Sequence, residues 1–465
     1  MPLRPQRIAI IGAGISGLVA AKVLKQHGLS VSVFEKGSAL GGIWRFNNDN
    51  GASTCYRSLH INTSKRMMQL SDFPFKEEMA EYPPHWQILE EFERYAEQFQ
   101  LLPLIQFNTE VRHCAPMPEG GWQLTLHCAE GEQTQDFDFL VVANGHHWSP
   151  RLPEFSGQFD GELIHAHHYV DVTEPLDLRD KTVVVVGSGN SAMDIACELG
   201  RTGQGAKKVL LSQRSGVWVL PKLFGNLAQD KFVRHPMKPP SLWERLVRET
   251  LPRRFRLAVR DRVHQGLISL LAGSPQRMGM KPPKGRLSQH HPTVSQEIYH
   301  RLTHGDVLAR GEITQLNGHT VTFEDGQQEQ VDAIICATGY DIRFPFFDQP
   351  ELTPQGNRFP LWHRIFPPQR QDLAFIGLIQ PVCALMPIAE LQSEFLADVL
   401  IGEVALPDGA KLAKETAAQD AEAAEGYLPS PSHTIQADCP EYSYNLRKAW
   451  QLGRKRASST AQTPS

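Results

Sequence analysis

Two glycine-rich stretches hold the residues best placed to do chemistry: Arg7–Gly17 reads RIAIIGAGISG, and Thr182–Ala192 reads TVVVVGSGNSA. Each is a short apolar run that enters a turn of small residues and continues into a helix-forming stretch. Such a turn brings backbone N–H groups up to a pyrophosphate. In the first, Gly12 permits the tight turn, Gly14 lets the backbone approach the phosphates, and Gly17 lets the helix pack on the strand. Ala13, Ile15 and Ser16 complete that turn, and the spacing predicts a helix over 15–26. The next strand, Ser30–Phe34, ends in Glu35. A carboxylate there accepts ribose hydroxyls and repels a 2′-phosphate, which suits FAD or NAD. In the second stretch Gly187, Gly189 and Ala192 take the small positions, while Asn190, Ser191, Met193 and Asp194 open the helix. Its following strand, Lys208–Ser212, leads to Gln213 and Arg214 with no acid. A guanidinium at that point pairs with a 2′-phosphate and favours NADPH. Two turns with different ends imply two different dinucleotides held at once.

These turns need parallel strands and helices around them, so the sequence reads as α/β with two Rossmann-like dinucleotide-binding domains. A helix is expected over about 87–99. Ile105–Cys114, Trp122–Cys128 and Asp136–Ala143 alternate like strands of a small antiparallel sheet. Strand signals return over 313–323 and 331–337, and the end of the fold comes back to the first unit through 372–379 and a helix over about 388–402. The expected division is 1–155 and 325–452 for a discontinuous FAD domain, with an NADPH domain, 156–324, inserted between them. A tail, 453–465, is basic, then Ser/Thr-rich, and reads as disordered. Within 222–286 there are fifteen Lys or Arg against four Asp or Glu. Part of this stretch, SLWERLVRETLPRRFRLAVRDRVHQGLISLL, has helical apolar periodicity. It is expected as a helical insertion packed on the NADPH unit; peripheral contact with an anionic membrane is the alternative.

A chain of 465 residues exceeds one ordinary core, and its net charge of −4 gives no argument for nucleic acid. Seven cysteines without a Cys-x-x-Cys pair read as free thiols of a reducing compartment. No apolar stretch is long enough to span a bilayer, so a soluble, cytoplasmic protein is expected. His165 and His167 share a face of an extended segment, but no Cys or acidic cluster joins them, and no metal is expected. The pairs in HHW at 146–148 and QHHP at 289–292 read as surface-loop histidines.

Between the glycine turns, Phe159, Gly161, His165 and Tyr169 follow the spacing F-x-G-x-x-x-H-x-x-x-Y. This pattern resembles the identifying motif of flavin-containing monooxygenases. GGIW, with Ile43 and Trp44, is similar to that family's flavin turn. Ile61, Asn62 and Thr63 in INTSK are similar to its N-[ST]-S-K segment. ATGY, with Thr338 and Gly339, is similar to its hinge between flavin and NADPH domains, as ANG at 143–145 is more weakly. IGLIQP, with Gln380, is similar to its last flavin-facing strand. The likeness runs from about 7 to 402.

The resemblance implies FAD and NADPH as cofactors, with O2 and a small nucleophilic molecule as substrates. NADPH reduces the flavin, O2 adds to form a C4a-hydroperoxyflavin, and an amine nitrogen or thioether sulfur takes one oxygen atom. The chemistry is the cofactor's, and the protein supplies position and dryness. In the family the asparagine matching Asn62 contacts both cofactors, so Asn62 is the residue expected nearest the reaction; from the residues alone it would read as capping a turn before Thr63 and Ser64. The motif with His165 is there mainly structural. The resemblance also allows a homodimer. Two rival oxygenases remain: a Baeyer–Villiger enzyme, which usually has Trp where this chain has Tyr169, and a keto-acid-decarboxylating one. A disulfide reductase needs two close cysteines beside the flavin, and Cys55 has no near partner in sequence. A flavin redox sensor is the non-enzymatic alternative.

Overall fold

The apolar run Ile8–Ile11 forms the central strand of a five-stranded sheet. All pairings in this sheet are parallel, in the order Leu373–Phe375, Phe139–Val142, Ile8–Ile11, Val31–Phe34, Ile105–Gln106. The computed structural model describes residues 5–271, 273–430 and 433–461. All four residues of the central strand are buried, as expected for a strand with neighbours on both edges and layers on both faces. One face carries the helices Ile15–Gln26 and Leu385–Leu400. The other packs against Trp122, Leu124 and Phe137 of a three-stranded antiparallel sheet, with Phe344, Phe359 and Phe375 completing the cluster. Each fully buried Val, Ile, Leu or Phe adds about 1.5–3 kcal/mol of burial.

Gly12 turns the chain out of the central strand with φ +101°. A Cβ on Gly17 would stand 1.9 Å from the Gly12 carbonyl oxygen, so only glycine lets the helix sit this close to the turn.

The second sheet is also parallel, in the order Glu162–His165, Ala333–Cys336, Thr182–Val186, Lys208–Ser212, Val307–Arg310. Val183, Val184 and Val185 have no exposed surface. The helix Asn190–Leu199 follows the second glycine turn. The first sheet is thus built from both ends of the chain, with the second inserted between them.

Four expectations need correction. Neither Ile105–Cys114 nor Asp136–Ala143 is one antiparallel strand: Ile105–Gln106 is the edge strand of the parallel sheet, and the antiparallel strand begins only at Glu110. Gly131–Phe137 ends the antiparallel sheet, and Phe139–Val142, wholly buried, becomes a strand of the parallel one. The boundary at 324 falls short, because Ala333–Cys336 lies between two strands of the second sheet. The tail expected to be disordered from 453 belongs to the helix Cys439–Ala461, in which Trp450 and Arg454 both bond Asp398 at 2.7 Å. Residues 462–465 lie outside the described residues.

The fourth concerns the basic insertion. It forms two helices, Leu242–Thr250 and Arg253–Leu271, parted by Pro252. The first starts with a reciprocal cap between Ser241 and Glu244. Met278 and Met280 at the end of the insertion do pack into the core of the second unit, but four arginines of the two helices pair elsewhere. Arg248 and Arg256 meet Glu441, Arg260 meets Asp438, and Arg253 meets Glu422 at 3.4 Å. Opposite charge thus ties the insertion to the C-terminal helices, a long-range pairing that local periodicity does not reveal. Leu242, Trp243 and Leu270 stay exposed. Among the described residues no helix is long and apolar enough to cross a membrane.

Candidate active site

Both glycine turns open onto one cavity of about 2250 Å³. Gly12, Gly14, Ile15, Ser16 and Glu35 line it from the first turn and its second strand. Glu35 is buried, and its carboxylate accepts the N–H groups of Ala13 and Gly37 at 2.8 Å and the Asn50 amide at 2.9 Å. These bonds fix the acid at the end of Val31–Phe34. Ile43, Trp44, Ile61, Asn62 and Thr63 line the cavity too, as do Thr338, Gly339 and Gln380.

From the second turn Gly187, Gly189, Asn190, Ser191 and Ala192 reach the cavity, as does the exposed Arg214. Thr293 and Val294 buttress this turn. Thr293 Oγ1 donates to the Ser188 carbonyl at 2.7 Å, and Asn190 Oδ1 accepts the Val294 N–H at 2.8 Å. No sequence signal marked these two residues beyond the neighbouring histidines.

Four of the residues expected to bind the cofactors stand off the cavity. Ala13 and Gly17 serve the internal geometry of the first turn. Met193 is wholly buried in the second core. Asp194 accepts the Tyr56 hydroxyl at 2.6 Å, and burial pushes its carboxyl up to about 6, opposed by that hydrogen bond.

The histidine pairs are not loop decoration. His146, His147 and His291 join His165 on the cavity wall. Burial pushes His147, His165 and His291 down to about 4. His165 accepts the His167 N–H on Nδ1 and donates from Nε2 to the Gly339 carbonyl at 3.1 Å. The neutral ring therefore ties the F-x-G-x-x-x-H-x-x-x-Y segment to the ATGY turn. Tyr169 continues that role by donating to Glu198 at 3.1 Å. Among the described residues no group of three His, Cys, Asp or Glu could hold a metal ion.

The free-thiol reading needs correction. Cys383 and Cys439, 56 residues apart, form a disulfide. Gln380–Pro381 pairs in parallel with Gln436–Ala437 and brings the two together, which no local spacing signals. Both line the cavity. Cys55 is free and buried, and burial pushes its thiol up to about 12.

The residues fit two dinucleotides. Gly189 faces open space: a methyl group on its Cα would meet no protein atom within 4 Å beyond its chain neighbours, so backbone can approach a pyrophosphate there. Asn62 Oδ1 is buried without a partner, a polar atom that a bound group would satisfy. FAD would lie along the first turn, Glu35 and the wall with Asn62. NADPH would lie along the second turn and Arg214.

The flavin-binding monooxygenase-like family model matches residues 5–454. Flavin-containing monooxygenase 5 of Mus musculus is 35% identical over 454 residues, covering 93% of this chain and 80% of its own length. Among solved structures, S-allyl-L-cysteine S-oxygenase from Allium sativum superposes with a TM-score of 0.69 at 24% identity, covering 98% of this chain and 93% of its own. Cyclohexanone monooxygenase from Rhodococcus sp. Phi1 bound to NADP+ superposes with a TM-score of 0.66 at 17% identity, covering 97% and 98%. The whole-chain match and the two nucleotide turns agree: the chain belongs to the flavin-binding monooxygenase-like family, as an NADPH-dependent flavin monooxygenase that uses FAD.

Proposed function

We propose that this protein transfers one atom of O2 to a soft nucleophile, an amine nitrogen or thioether sulfur, of a small molecule. The balance is NADPH, a proton, O2 and substrate giving NADP+, water and the oxygenated product. Bound FAD supplies the electron transfer and the activation of O2. The observation that carries the reading is Asn62, whose buried Oδ1 lacks a partner on the wall of the cavity that both glycine turns share. The amide acts there by hydrogen bonding. Gly14 and the helix Ile15–Gln26 hold one pyrophosphate, and Gly189 and the helix Asn190–Leu199 hold the other. Ile61 and Met67, both buried in the lining of the cavity that Asn62 faces, keep water from the reacting atoms. The neutral His147, His165 and His291 place no fixed positive charge on the wall at neutral pH.

The sulfur-oxygenating structural neighbour supports a soft nucleophile, while the ketone-named one keeps Baeyer–Villiger oxygenation as the second reading. A panel separates them. NADPH consumption in air is followed with trimethylamine, a thioether or a cyclic ketone, and products are identified by mass. N-oxide or sulfoxide is expected. Ester from the ketone alone would overturn the first reading, and no product from any of them would overturn both. Asn62→Ala should still accept electrons from NADPH while releasing hydrogen peroxide in place of product. Unchanged coupling would remove its assigned role.

A further inference from the structure

Asn62 sits in a segment held from two sides. On one side are groups of its own domain: the Ile61 N–H donates to the Pro83 carbonyl at 3.1 Å and the Lys65 N–H to the Glu81 carbonyl at 2.9 Å. On the other is the root of the basic insertion. Asp230 Oδ2 accepts the Ser64 N–H at 2.8 Å, and both residues are buried. Gln229 Nε2 reaches the Asn62 carbonyl at 3.5 Å. Arg66 donates to the carbonyls of Asp230 and of Val233, the latter at 3.1 Å. His235 donates from Nε2 to the Gln69 carbonyl at 3.1 Å, and the Tyr82 hydroxyl donates to the Lys222 carbonyl. A run of fourteen residues, 222–235, thus bonds the segment 62–82 at five points without belonging to its sheet.

Asp230 is the strongest of these contacts. Ser64 heads the short helix Lys65–Met68, yet its own hydroxyl makes no cap and has no partner. The bond that fixes this corner, two residues after Asn62, comes from a carboxylate 166 residues away. Its other oxygen is buried without a partner, and no Lys or Arg among the described residues forms an ion pair with it. A buried carboxylate kept for one backbone N–H is costly unless that bond is needed, because a charge-assisted bond is stronger than a neutral one.

We infer that Asp230 is a positioning residue for Asn62, and that the insertion thereby governs how fully NADPH oxidation is coupled to oxygen transfer. The inference rests on the reading of Asn62 given above. The carboxylate acts through Ser64: it sets the backbone corner that aims the Asn62 amide at the cavity. Removing the acceptor lets the segment move, and oxygen then leaves as peroxide. Electron transfer from NADPH, which depends on the second turn, is left alone.

The test compares FAD-loaded wild type, Asp230→Ala and Asp230→Asn. The asparagine keeps an acceptor for Ser64 and loses only charge. Hydrogen exchange over residues 60–69, read by mass spectrometry, should be about tenfold faster in Asp230→Ala and close to wild type in Asp230→Asn. With a thioether present, the fraction of NADPH ending as peroxide should rise severalfold in the alanine variant alone. Anaerobic flavin reduction by NADPH should stay within about twofold for both. Unchanged exchange over 60–69 in Asp230→Ala would overturn the inference. Equal loss of coupling in both variants would do so too, because charge and not the bond to Ser64 would then be the cause. If Asp230→Ala does not fold, Arg66→Gln removes a separate strap and should raise exchange and peroxide in the same segment; no change would overturn the clamp. Asn62→Ala keeps the two ideas apart. If it couples normally the role of Asn62 fails, while the exchange measurement still decides whether Asp230 holds the segment.

Discussion

Gly189→Ala separates nucleotide binding from folding at one atom. Gly189 stands at the head of the helix Asn190–Leu199 with φ −82° and ψ −178°, an extended conformation that alanine adopts without strain. Its methyl would meet no protein atom within 4 Å. Glycine and alanine differ by about 1 kcal/mol or less at such a position, so thermal unfolding should barely shift. The methyl instead fills the space where the second turn would take a pyrophosphate. A phosphate oxygen pushed away from these N–H groups loses a charge-assisted hydrogen bond of about 1.5–3 kcal/mol. The apparent Kd for NADPH should therefore rise about 10- to 100-fold. Anaerobic stopped-flow reduction of the bound FAD, run against NADPH concentration, measures that constant. The contrast is Gly17→Ala, whose methyl would lie 1.9 Å from the Gly12 carbonyl oxygen and should cost the fold and the flavin. An unchanged Kd in a well-folded Gly189→Ala protein would refute the placement of the second pyrophosphate.

Two other outcomes are expected. Arg214→Ala removes an exposed guanidinium on the cavity wall, so it should raise KM for NADPH about tenfold or more while leaving KM for NADH nearly unchanged; equal effects on both would refute the 2′-phosphate role. Stability should fall on acidification. The histidines at 147, 165 and 291 have folded values of about 4 against 6.5 for the free side chain. Their contribution is complete above about pH 6.5 and is lost as pH falls toward 4, by about 1–3 kcal/mol for each ring. Asp194, raised to about 6, works the other way between pH 3.8 and 6, as do Glu198, Glu390 and Glu394, whose carboxyls burial also raises, but His363, held at about 4, and the lowered rings of His85, His146 and His235 add to the side of the histidines. Unfolding temperatures between pH 7.5 and 5 decide this, and a flat profile would contradict it.

Much of the fold and part of the site were legible along the chain. Arg7–Gly17 and Thr182–Ala192 needed only local spacing, because strand, turn and helix follow one another within a dozen residues and the glycines answer to their immediate neighbours. The position of Glu35 and Arg214 on the cavity was legible for the same reason, each following closely on the strand after its turn. Phe139–Val142 was misplaced because a continuous apolar run of four residues does not say which sheet it joins.

What the sequence determined by itself was the pair of nucleotide turns, their different second-strand ends, and the motif linking them to one family. Tertiary structure alone decided the Cys383–Cys439 bond, the histidines gathered from 146, 165 and 291, the arginines of the insertion on the C-terminal helices, and Asp230 on Ser64. The reason is range. Periodicity and spacing report what a residue meets within a few turns of its own element, whereas the disulfide, the ion pairs of the insertion and the Asp230 bond join positions 56 to 193 residues apart, and only the packing of whole sheets and helices selects them.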